Sequence, residues 1–128
     1  MLIGLNQIVS FTAMAIPLEL SALIDRLNQE FDRTEQEATE GVNLARAAMS
    51  RFPDNVPLIQ FFAYLNDVLL FVEISRTQIQ TTIETILPTD VPAEVIQEAG
   101  EDLATLLGRV VEAKIDARRI VTRLQNLS

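Results

Sequence analysis

Pro53-Asp54-Asn55-Val56-Pro57 and, thirty-five residues later, Pro88-Thr89-Asp90-Val91-Pro92 repeat one pattern, and Pro17 is the only other proline in the 128 residues. The residue before a proline is pushed out of the α region, so Pro53 and Pro88 end any helix that reaches them. Asn55 and Asp90 have side chains suited to capping the next helix. Pro57 and Pro92 would then fall in its first turn, where a missing N–H costs nothing. The spacing of five heptads is read as one hairpin solution used twice rather than as a duplication.

Working outward, alternate steps of four and three run without a charged residue from Leu20 to Phe52, from Leu58 to Ile86 and from Ile96 to Leu127. These 29 positions carry no Asp, Glu, Lys or Arg, whereas a chain that is 22% charged would place about six there by chance. Long amphipathic segments joined by short connections must lie as antiparallel neighbours. The expected fold is therefore all-α, an antiparallel up-down-up three-helix bundle with coiled-coil-like packing and helices over about 17–52, 56–87 and 91–127. Residues 1–16 are read as an N-terminal extension or a short docking helix with Leu5, Ile8 and Val9 on its face, and Met14 as an alternative start.

Folding the turns back sets Phe31 beside Ala99 and Gly100, and Phe71 and Val72 beside Ala38 and Gly41. Gly41, Gly100 and Gly108 are thus read as accommodations for large neighbours, despite a helix cost of about 1 kcal/mol each. Thr34 and Ser75 form one mildly polar layer, with hydroxyls expected to bond the preceding turn.

Composition excludes more than it assigns. With no Cys and no His, disulfides, thiol chemistry and the commonest metal ligand are absent, and no serine has a histidine to activate it. No Gly-rich phosphate loop occurs, and the acidic clusters are read as solvated faces. Lys114 and Tyr64 fall beside the core stripe and are read as its cover, so neither catalysis nor a cofactor or metal is expected. A net charge of −8 opposes direct binding of nucleic acid. The uncharged stretch 1–18 is too short and polar for a membrane span and lacks a basic leader; a cytoplasmic location without a transmembrane segment is expected.

The charge that remains has a direction. Residues 1–40 and 77–108 hold thirteen acids and two bases, net −11, while residues 41–76 and 109–128 hold five acids and eight bases, net +3. Acids at the starts and bases at the ends of the first and third helices complement both macrodipoles, and the same layout could orient an assembly.

One face stands out. If Val68 and Val72 point inward, Leu70 and Ile74 point outward, and with Phe71 they make this helix apolar nearly all round. Leu70, Ile74, Phe71, Leu5, Ile8 and Val9 are the candidate interface residues. The expected role is a non-catalytic structural or adaptor protein that associates with other protein, as a homodimer. Its rivals are an accessory subunit of a larger complex that handles nucleic acid through other chains, and a carrier of an apolar ligand.

Overall fold

The computed structural model describes residues 17–127 and contains three helices: α1 Leu18–Arg51, α2 Val56–Ile86 and α3 Ala93–Gln125. They form the up-down-up bundle, with α1 packed on both other helices and α2 and α3 packed least closely on each other. Leu5, Ile8, Val9 and the reading of residues 1–16 lie outside the described residues.

Of the 29 heptad positions, only Phe52 and Leu127 are exposed; the others are buried or half-buried, and Val42 and Val121 join them. Phe52 and Leu127 sit just past the ends of α1 and α3. Two apolar clusters result, one around Leu27, Phe31, Val72 and Val110, the other around Ala45, Leu58, Leu65 and Leu124.

The two proline turns differ despite their likeness in sequence. Asn55 caps α2 as expected, its side chain accepting from the Leu58 N–H at 3.2 Å. Asp90 caps nothing: Pro92 occupies the N-cap of α3, no side chain bonds the free N–H groups, and Pro92 stands before the first turn rather than in it. The second connection, 87–92, is longer than the first, 52–55, and so α3 begins two residues later than the turn pattern implies.

The residues that meet also differ from those the turn pattern implies. A Cβ on Gly41 would come within 2.7 Å of Leu65 Cδ1 and 3.2 Å of Val121 Cγ2, so Gly41 is an accommodation, but for Leu65 and Val121 rather than Phe71 and Val72. Gly100 faces Leu20 Cδ1 at 3.5 Å instead of Phe31, and Gly108 has nothing within 4 Å of the same point, so it makes room for nothing inside the chain. Thr34 and Ser75 are both buried, and the Thr34 hydroxyl donates to the Glu30 carbonyl at 2.7 Å, the back-bonding expected of it.

The reading of all acids as solvated fails at Glu30. It is 5% exposed, and its carboxylate accepts from Lys114 Nζ at 2.6 Å and from Arg33 at 3.2 Å. Burial is tolerated because an ammonium eighty-four residues away reaches the same spot. The Lys114 hydrogen bond is the main cause of a carboxyl pKa held below the usual glutamate range, against the opposing effect of burial.

Candidate interaction surface

The polar ties between helices are unevenly shared. Between α1 and α3 run Glu30–Lys114, Glu37–Arg118 at 3.3 Å and the Gln125–Glu40 hydrogen bond at 3.2 Å. Between α1 and α2, Arg76 bridges Glu35 and, at 2.8 Å, Asp32; the Glu35 carboxylate raises the Arg76 pKa further. Between α2 and α3 there is one such tie among the described residues, Tyr64 Oη donating to Asp116 Oδ2 at 3.2 Å. Burial first, and then the Asp116 charge, raises the Tyr64 pKa, so the phenol stays protonated and can hold that bond.

Loose packing leaves a groove along the α2–α3 seam. Its upper part, about 300 Å³, is lined by Tyr64, Val68, Phe71, Arg109, Glu112 and Asp116, and it continues past Phe61, Ile120, Arg119 and Arg123. Phe71 is half-buried at the core edge, and the Arg109 guanidinium lies 5.2 Å from its ring centroid. Leu70 and Ile74 stand outside this groove, 53% and 56% exposed, and line a shallow depression with Glu73, Thr77 and Gln78. Two of the interface candidates are thus open to solvent, while Phe71 divides itself between core and groove.

The groove is not legible in the sequence, since hydrophobic periodicity identifies a buried face but not how far apart two helices settle. Tyr64 and Lys114, expected as simple cover of the core, each have a specific partner, Asp116 and Glu30.

Among the described residues no group of three or more potential ligands is placed to hold a metal ion. α2 is long and apolar enough to cross a membrane, and little more than a quarter of its most apolar stretch is buried in the bundle. Comparison with protein-family models, curated proteins and solved structures finds no match to the chain.

Proposed function

We propose that the chain is a non-catalytic helical adaptor of the cytoplasm that works by associating with protein, itself included, without a cofactor, a membrane span or direct contact with nucleic acid. The observation that supports this most is Leu70 and Ile74 standing more than half exposed on a helix whose opposite side is already buried. Apolar side chains in that position lower their free energy by being covered. The core around them is complete: every buried side-chain nitrogen and oxygen among the described residues has a hydrogen-bond partner.

A photo-crosslinking side chain at position 70 tests the reading in extracts of the native cell. Protein adducts should form and should be competed away by excess unlabelled chain, but not by a Leu70→Glu, Ile74→Glu variant. Absence of protein adducts, or equal competition by the variant, would overturn it.

A further inference from the structure

The flank of α3 that borders the groove carries Arg109, Glu112, Asp116, Arg119 and Arg123. The same four-three spacing continued toward the helix start reaches Thr105, Asp102 and Glu98, all exposed. Read along the helix, this stripe has an inverse symmetry. Glu98 and Arg123, Asp102 and Arg119, and Arg109 and Glu112 are three acid–base pairs, and all three share one midpoint, between Val110 and Val111.

The groove contacts Tyr64–Asp116 and Phe71–Arg109 fix the register of α2 against α3, seven residues up one helix matching seven down the other. In that register the midpoint lies level with Leu69 and Leu70. The centre of the charge pattern therefore coincides with the exposed apolar patch on the neighbouring helix.

We infer that the α2–α3 face binds a second copy of this chain, antiparallel, about a two-fold axis at the level of Leu70. This rests on the adaptor reading and gives it a definite partner. An axis lying in the interface and perpendicular to the helices sets α3 against α3 and α2 against α2 with directions reversed. Each of the three acid–base pairs then forms twice across the interface, and Leu70 meets its own counterpart at the axis. A parallel pairing of α3 with its counterpart would set each of these charges against its like.

Two observations separate this from a mere complement of the helix dipole. The dipole acts within the first and last turns and wants acids before bases, whereas Arg109 precedes Glu112 in the middle of α3. Moreover, Glu98, Asp102, Arg109, Glu112 and Arg123 enter no ion pair among the described residues, and Arg119 has only an exposed contact with Asp116 at 3.5 Å. The stripe from Glu98 to Arg123 is about 39 Å long at 1.5 Å per residue. Two helices wide, it offers on the order of 800 Å² per copy, the size of an ordinary specific interface.

The test is an exchange of charges, read by sedimentation with helicity checked by circular dichroism. One variant carries Glu98→Arg and Asp102→Arg, a second carries Arg119→Glu and Arg123→Glu. The wild-type chain should dimerise, and each variant alone should dimerise roughly a hundred-fold more weakly because its seam now faces like charges. Mixed in equal amounts, the two should recover a heterodimer of near wild-type affinity. A chain carrying all four changes should recover the homodimer, which separates loss of the interface from loss of folding. Three results would each overturn the inference: a wild-type chain still monomeric at about 1 mM, single variants that dimerise unchanged, or a mixture that fails to associate. Crosslinked foreign proteins at position 70 together with a monomeric wild type would sink this pairing and leave the adaptor reading standing.

Discussion

Lys114 Nζ lies 2.6 Å from Glu30 Oε2 across the α1–α3 seam, with the glutamate 6% and the lysine 17% exposed in their side chains. It is the most buried of the three polar ties that set the axial register of these two helices, the others being Glu37–Arg118 and Gln125–Glu40.

Removing the ammonium alone should therefore hurt most. In Lys114→Met the Glu30 carboxylate stays buried with Arg33 and, more weakly, Arg26 to offset its charge. Because Lys114 keeps some contact with water, the expected loss is about 2 kcal/mol, below the ~3–5 kcal/mol typical of a fully enclosed pair. Adding Glu30→Met should restore most of that stability, since two packed thioethers need no partner. Denaturant midpoints of the three proteins measure both effects; a double variant no better than the single would show that the pair contributes more than register.

Acid should act through the same group. The folded-state pKa of Glu30 lies below its ordinary value of 4.5, mainly through the Lys114 hydrogen bond. A depressed carboxyl pKa contributes stability that is present above the unfolded-state value and is lost as pH falls through the folded one. The thermal midpoint of the wild type should thus drop more steeply than that of Glu30→Gln as pH falls from about 5 to 3. Parallel curves would remove Glu30 from the acid response.

The glycines of α1 and α3 should respond oppositely to alanine. At Gly41 the new methyl group would meet Leu65 Cδ1 at 2.7 Å, within a side chain that has no exposed surface and little room to turn. The overpacking should outweigh the gain in helix propensity and cost about 1–2 kcal/mol. At Gly108, with open space around the same position, alanine should instead stabilise by up to about 1 kcal/mol. Chemical denaturation of both variants decides whether α1 approaches its neighbours as closely as described.

The two turns should also part company. Asn55→Ala removes the acceptor for the Leu58 N–H and should cost about 1 kcal/mol. Asp90→Ala removes no cap and should leave the unfolding midpoint unchanged, although the two residues hold matching places in the sequence.

Much of this fold was legible before the structure. The uncharged heptads depend only on helical periodicity, and the prolines act on their own neighbours, so Leu27, Leu65 and Val110 could be placed inside and Pro53 at a helix end. What escaped depends on the separation of elements far apart in the chain. Glu30 is charged, and nothing local distinguishes it from Glu35 or Glu37; only the arrival of Lys114 does. Asp90 resembles Asn55 by neighbours alone, but its longer connection lets Pro92 take the capping position. Gly108 and Gly41 are equally helical, and only packing tells them apart. Of the candidate surface, the outward set of Leu70 and Ile74 followed from Val68 and Val72 facing in, whereas the groove beside Phe71 needed the α2–α3 spacing.

The most tightly tied seam joins the first and third helices, since Glu30 must find a partner eighty-four residues later. At a synthesis rate of ~5–20 residues per second, Lys114 would emerge from the ribosome about 2–8 seconds after Arg76, which precedes it in the chain. For that interval Leu27 and Phe31 can rest only against α2, in a hairpin fastened by Arg76 to Asp32 and Glu35. The nascent hairpin, with one side of α1 bare, is therefore the species in the life of this protein most exposed to chaperones and to misassembly with its own kind.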